Sequence, residues 1–196
     1  MATDNSAGAS EALFENILAE HLAVATRLRA LAPVVTSLAE EICAALKRGN
    51  KALFCGNGGS AADSQHLAAE LVVKFSKDRI ALPAIALTTD TSALTAAAND
   101  LGAEMMFARQ VAALGAKGDV LVGLTTSGNS PNVLAAFQEA RRRGLTVLCL
   151  TGGAGGRAKD EADLCLVVPS ENVARIQEMH ILIGHAICAA VDAAFG

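Results

Sequence analysis

The chain predicts an α/β fold, a three-layer α/β/α sandwich around a mostly parallel five-stranded sheet, with extra helices at the N-terminal end. Three observations predict it. Short, almost wholly apolar runs at 52–55, 84–87, 119–124, 145–150 and 164–168 alternate with segments of helical character. Strands that are apolar throughout belong to parallel sheets covered on both faces, not to half-solvated sheets with alternating patterns. Polar, Gly-rich or hydroxyl-rich loops follow several of these runs, at the strand ends where open α/β sheets bind ligands.

The elements follow in order. Residues 1–10 read as a short polar tail, and 11–196 as one domain carrying a helical pair ahead of the sheet. Over 10–31, Leu13, Ile17, Leu18, Leu22 and Leu28 fall near one helical face, with Ser10 as N-cap. Pro33 suits the start of a second helix with Val34, Leu38, Ile42 and Leu46, ending at Gly49. After the first strand, a helix opened by Ser60 runs to about residue 75. A polar loop, 88–92, follows the second strand, and helices are expected over 94–98 and 103–114. Pro131 fits the first position of a helix reaching 143, and a long helix over 174–195 closes the chain.

Composition narrows the function. At 196 residues the chain can bury one sizeable core; its 52% hydrophobic content is mostly Ala, Leu and Val, without Trp or Tyr. Few aromatic rings for base stacking and a formal net charge of −4 argue against a nucleic-acid face. No uninterrupted apolar window approaches the length of a membrane span, and the first ten residues lack the pattern of a signal peptide. The five cysteines (Cys43, Cys55, Cys149, Cys165, Cys188) are odd in number and scattered among apolar residues. They read as reduced core residues in a cytoplasmic protein.

Chemistry concentrates at 55–70, CGNGGSAADSQHLAAE. Gly56, Asn57, Gly58 and Gly59 turn the chain between a strand and a helix, where first-turn N–H groups point outward and can hold phosphate. The same helix carries His66 and Glu70 at i, i+4, on one face. A Gly-rich turn can be a plain tight connection, and a His/Glu pair a surface salt bridge. Here Leu67, Ala68 and Ala69 lie between, so the helix is packed and a buried pair needs partners. A second loop supplies four hydroxyls, Thr125, Thr126, Ser127 and Ser130, before a helix N-terminus. Ser130 alone would satisfy a cap, so the others favour phosphate binding. The loop 151–156 lacks the spacing and terminal Lys-Ser/Thr of a nucleotide-binding P-loop and reads as structural. The last helix holds Gln177, Glu178, His180 and His185. His66, Glu70 and His185 suit zinc. Gln177 and His185 are separated by about 12 Å along a helix axis, and Gln is an unusual ligand, so spacing leaves the metal open.

These motifs resemble the sugar isomerase (SIS) domain and, within it, the bacterial phosphoheptose isomerases, over nearly the whole chain. GNGGSAADSQHLAAE at 56–70 is the most specific match, followed by LTTDTSALTAAAND ending at Asn99-Asp100, TTSGNSPN at 125–132 and RIQEMHILIGHAIC at 175–188. The resemblance implies isomerisation of D-sedoheptulose 7-phosphate to D-glycero-D-manno-heptose 7-phosphate, the first step toward the activated heptose of lipopolysaccharide. It implies one zinc per subunit held by His66, Glu70, Gln177 and His185. Substrate contacts would come from Asn57, Gly58, Gly59, Ser60, Glu70, Asn99, Asp100, Thr125, Thr126, Ser127, Ser130 and Gln177. Members commonly have Ser where this chain has Thr125, a change that keeps the hydroxyl. A homotetramer with sites at subunit contacts is implied too, which the N-terminal helices would fit. The chemistry requires a base and an acid around an enediolate, with Glu70 expected as base, His185 as acid and Asp63 as a partner of His66. Non-catalytic SIS relatives that bind the replication initiator DnaA are the alternative; the full His66/Glu70/Gln177/His185 set favours the enzyme.

Overall fold

The computed structural model describes residues 5–196, with side chains from residue 8 onward. Two helices, α1 (Asn5–Arg27) and α2 (Ala32–Lys47), precede β1 (Ala52–Gly56) and α3 (Gly59–Val72). Then come β2 (Ala84–Ala86), α4 (Thr91–Asp100), α5 (Met106–Leu114), β3 (Val120–Thr125), α6 (Pro131–Arg143), β4 (Thr146–Gly152), α7 (Ala158–Glu161), β5 (Leu164–Val168) and α8 (Val173–Phe195). The sheet order is β2-β1-β3-β4-β5 and every pairing is parallel, so the expected mostly parallel sheet is wholly so.

Alternation along the strands builds two cores. Phe54 and Val122 face a cluster with Leu38, Ile42, Leu71 and Met179 from α2, α3 and α8. Leu53, Cys55 and Leu121 face the opposite cluster, with Phe107, Val133 and Phe137 from α5 and α6. Burial on both sides is why the strands carry no polar alternation. All five cysteines are free.

Several boundaries differ from expectation. Helix α1 starts at Asn5, ahead of the expected Ser10 cap, while residues 1–4 of the expected tail lie outside the described residues. Helix α3 stops at Val72. Helix α4 begins at Thr91 because the Asp90 carboxylate accepts from the Ala93 N–H at 2.9 Å, so part of the expected polar loop is helix and Asn99-Asp100 forms its last turn. Residues 103–105 form a 3-10 turn before α5. Strand β4 continues through Thr151 and Gly152, since Thr151 pairs with both Thr125 and Val167. The short α7 has no counterpart in the sequence reading.

Helix α8 also corrects the expectation that nothing is long and apolar enough to span a bilayer. By length and composition alone, Val173–Phe195 and the region Gly8–Lys47 both are. In the fold, α8 is a core helix that buries Arg175, His180 and Asp192 among its apolar residues. Helix α1 docks on its start through polar contacts: Arg175 Nη1 donates to the Ile17 carbonyl at 2.8 Å, and His21 Nδ1 meets Glu178 Oε2 at the same distance. The apolar face of α1 expected from periodicity is left uncovered, with Leu13, Phe14 and Leu22 more than half exposed.

Two buried ionisable groups on α8 set an acid sensitivity. His180 is fully buried, its Nε2 3.2 Å from the Thr151 carbonyl oxygen, and burial pulls its pKa down to about 4. Burial alone would raise the Asp192 pKa, but the N–H groups of Ser76 and Lys77 and the Arg79 guanidinium together hold it down to about 2. An unfolded chain takes a proton on histidine below about pH 6.5, and on aspartate below about pH 3.9, before the folded groups do. Stability should therefore decline as pH falls from about 6.5 to 4 through His180, and again from about 4 toward 2 through Asp192. NMR of the His180 ring checks the first step: it should keep neutral-imidazole shifts down to about pH 4.

Candidate active site

The order β2-β1-β3 places the chain's change of direction between β1 and β3. After β1 the chain moves toward one edge of the sheet, and after β3 toward the other. The crevice where such connections part is where open α/β sheets bind ligands. The loops 56–60 and 125–130 flank it.

The β1 loop is built for close approach. Gly58 has φ +55°, a conformation that disfavours side chains, and it precedes α3 with no side-chain cap. A Cβ on Gly56 would lie 2.9 Å from the Leu124 carbonyl oxygen of β3. A Cβ on Gly59 would lie 2.6 Å from Gln177 Nε2, so the amide of α8 rests on the first residue of α3. Ser60 is buried, and its carbonyl accepts from Ser64 Oγ at 2.8 Å.

Across the crevice, Asn57 and Asn132 exchange amide hydrogen bonds at 2.9 and 2.8 Å. Asn132 lies in the quoted 125–132 motif, yet nothing in the sequence marked it as the partner of Asn57; only the adjacency of β1 and β3 does. Ser130 does not cap α6. Its hydroxyl lies 3.0 Å from Thr125 Oγ1 instead. Thr125 is buried, Thr126 half-buried and Ser127 exposed. Ser127 Oγ accepts from the Asn129 N–H at 3.2 Å. The 151–158 segment buttresses this loop: the Ala158 N–H donates to the Gly128 carbonyl at 2.9 Å, and the Arg157 N–H to Asn129 Oδ1 at 3.1 Å. Gly128, at φ +66°, packs so closely on the Gly155 carbonyl that a Cβ there would overlap it.

Deeper along α3, three ligand-type side chains converge. His66 Nε2 lies 3.1 Å from Glu70 Oε1 and 3.0 Å from His185 Nε2, and the three ligand atoms all lie within 4.8 Å of one another. Packing of α3 against α8 makes this possible, since Gly184 is the close-contact residue: a Cβ there would come 2.5 Å from Leu67 Cδ2. Phe75 walls the cluster, its ring centroid 5.2 Å from that of His185. Two imidazole nitrogens facing each other require one to donate, whereas a cation would accept lone pairs from both and from the carboxylate. Asp63 Oδ2 is buried without a hydrogen-bond partner; burial raises the Asp63 pKa against the pull of His66 and His185. Two imidazoles, one carboxylate and the Asp63 carboxyl group beside them fit a zinc-type site.

The predicted residues thus divide. His66, Glu70 and His185 come together, Gln177 sits beside Gly59 at the opening of the same helix, and Asn57 to Ser60 and Thr125 to Ser130 line the crevice. Asn99 and Asp100 end α4, where Asn99 Nδ2 donates to Asp100 Oδ1 at 2.7 Å within their own turn. His180 is a core residue. The polar docking of α1 on α8 through Arg175, Glu178 and His21 was not legible, because it joins segments about 160 residues apart.

Comparison with known proteins agrees with this geometry. The SIS domain family model matches residues 14–152. The phosphoheptose isomerase of Roseiflexus sp. (strain RS-1) is 54% identical over 82% of this chain and 82% of its own length. That of Campylobacter jejuni is 51% identical over 93% of this chain and 98% of its own length. The structure of phosphoheptose isomerase GmhA from Neisseria gonorrhoeae superposes with a TM-score of 0.88 at 44% identity, covering 93% of this chain and 98% of that one. The chain, with its loops at the β1/β3 divergence and its His/Glu/His cluster further along α3, belongs to the SIS-domain family as an enzyme of the phosphoheptose isomerase branch.

Proposed function

We propose that the enzyme interconverts D-sedoheptulose 7-phosphate and D-glycero-D-manno-heptose 7-phosphate, feeding activated heptose for lipopolysaccharide in the cytoplasm. The observation that carries this reading is the convergence of His66, Glu70 and His185 on the helix whose N-terminus opens the phosphate-type crevice. His66 lies seven positions after Gly59, about 10 Å along the axis, a span suited to an extended sugar phosphate. Phosphate would rest at the positive end of the α3 dipole, with the hydroxyls of Thr126, Ser127 and Ser130 opposite and Thr125 supporting Ser130. Asn57, Gly58, Gly59 and Ser60 would shape the near wall. Asn99, Asp100 and Gln177 would contact the sugar.

Moving a carbonyl between C2 and C1 needs a proton taken from one carbon and delivered to the other. Glu70 is assigned as the base that carries it. His185 is assigned as the acid that donates to the carbonyl oxygen as the enediolate forms. His66 holds Glu70 in place through their 3.1 Å contact. Zinc, held by His66, Glu70, His185 and Gln177, would polarise the substrate oxygens. Since a metal-bound carboxylate is a weak base, the second oxygen of Glu70 is the one assigned to the proton.

The apolar residues that α1 leaves exposed, Leu13, Phe14 and Leu22, support a homotetramer in which the N-terminal helices meet.

Product formation from sedoheptulose 7-phosphate, followed by NMR before and after chelation, tests the reading. Activity lost on chelation and restored by zinc is expected; no product from zinc-loaded protein would refute the proposal. Glu70→Gln should lower turnover by at least about a thousandfold while sugar-phosphate binding survives. Gly59→Ala separates folding from function. Gly59 does not have the positive φ that would strain alanine, and the nearest atoms its methyl meets are the movable end of Gln177, so thermal stability should hold. The displaced amide should nevertheless cost about tenfold or more in kcat/KM, measured on the same preparation.

A further inference from the structure

The segment between α3 and β2 supplies one half of a buried ion pair with α8 that the site geometry does not itself require. Arg79 Nε donates to Asp192 Oδ1 at 2.9 Å, and the two side chains are 0% and 1% exposed. A charge buried this far is held by full use of its donors. Arg79 spends its remaining N–H groups on backbone: Nη2 donates to the Glu70 carbonyl at 2.6 Å, and Nη1 to the Leu71 carbonyl at 2.8 Å and the Ile80 carbonyl at 2.8 Å. The Glu70 and Leu71 carbonyls belong to the last turn of α3, where a helix runs out of intrahelical donors. The guanidinium therefore caps that helix, with the favourable charge for its C-terminal end.

The other half of the pair works on the opposite wall. Asp192 Oδ2 accepts from the backbone N–H groups of Ser76 at 2.7 Å and Lys77 at 2.9 Å. These bonds pin the chain just after Phe75, whose ring stands against His185. One buried pair thus ties down the turn that carries Glu70 and the loop that backs His185.

We propose that Arg79 and Asp192 are positioning residues for the isomerase reaction: together they fix the last turn of α3 so that the Glu70 carboxylate meets His66 and His185. The inference rests on the assignment of Glu70 to the chemistry. Neither residue touches the cluster through its own side chain. They act through the backbone of Glu70 and through Phe75. Because the phosphate-type crevice lies at the other end of α3, loosening this turn should alter the chemical step and leave phosphate binding intact.

Arg79→Lys keeps a positive charge beside Asp192 but cannot span two carbonyls and a carboxylate at once. The full-length variant and wild type are compared by thermal midpoint, by backbone amide exchange, by zinc affinity in competition with a chromophoric chelator, and by kcat and KM for sedoheptulose 7-phosphate. All are measured well below the lower midpoint. The expected result is a folded protein whose amides at 71–73 exchange about tenfold faster or more, while those at 62–66 stay protected. Zinc affinity and kcat should each drop about tenfold or more, with KM changed by less than about threefold. Unchanged exchange at 71–73 overturns the inference whether or not the protein isomerises anything. So does faster exchange that leaves zinc affinity and kcat at wild-type levels, or a parallel loss in kcat and KM that follows global stability. If Arg79→Lys does not fold, Asp192→Asn, which keeps shape and an acceptor oxygen, is read by the same criteria. Wild-type protein that neither binds zinc nor forms product would instead refute the proposed function, with the exchange result still deciding the role of Arg79.

Discussion

The parting of the chain between β1 and β3 is the constraint on which the rest of the structure depends. These strands are neighbours, paired from Ala52↔Val120 to Gly56↔Leu124, yet their connections leave in opposite directions. The loops that leave these two strand ends lie side by side, joined by the Asn57–Asn132 amide pair, and each leads into a helix N-terminus. Everything polar about 52–60 and 120–132 follows. The strands are apolar because both faces are covered, and the loops are small and hydroxylated because backbone must come close there. Gly56 shows the tolerance involved: an added Cβ would lie 2.8 Å from Ser60 Cβ and 2.9 Å from a β3 carbonyl.

A second dependency runs along α3. Its first residue touches Gln177 of α8, its middle packs Leu67 on Gly184 of α8, and its last turn is held by Arg79, itself paired with Asp192 of α8. The two helices are thus matched along their length by three different kinds of contact: amide on glycine, leucine on glycine and a buried ion pair. The His66/Glu70/His185 cluster lies within that matched stretch, so its geometry inherits the rigidity of the whole helix pair. Residues placed by a packed pair are held more closely than residues on loops, which suits chemistry sensitive to small displacements.

Much of this was legible in the sequence because it is local. Apolar runs marked the five strands, Pro131 marked the start of α6, and the i, i+4 pair put His66 and Glu70 on one face. What sequence pattern could not show was long-range or compensatory. The Ser130 hydroxyl looked like a cap, but the structure turns it to Thr125. The region 151–156 looked like a plain Gly-rich turn; its role as a buttress for Gly128 depends on β4 lying beside β3. Arg79 sits in SKDRI, a polar stretch in which no residue was singled out, and only the fold shows its side chain fully buried. The expectation of no span-length apolar segment missed α8, because it looked for uninterrupted apolar runs, whereas length and mean hydropathy over a helix with scattered polar residues satisfy the same count in a core helix and a lipid-facing one.

The two ends of α3 face opposite electrostatic demands, and the chain meets them by different means. At the N-terminal end the helix dipole favours an anion, and there the sequence places glycines and hydroxyls and leaves the cap position without a side-chain acceptor. At the C-terminal end the dipole would repel the Glu70 carboxylate in the last turn, so a cation is needed close by. A solvent-exposed Lys would supply charge without fixing direction. The buried Arg79 supplies both, because its planar fork binds two carbonyls while Asp192 keeps the guanidinium itself neutralised. Neutralisation matters for the neighbours as well: an uncompensated guanidinium at this depth would compete for the Glu70 carboxylate and draw it from His66. Asp192 confines Arg79 to the backbone carbonyls, and the carboxylate stays with the histidines.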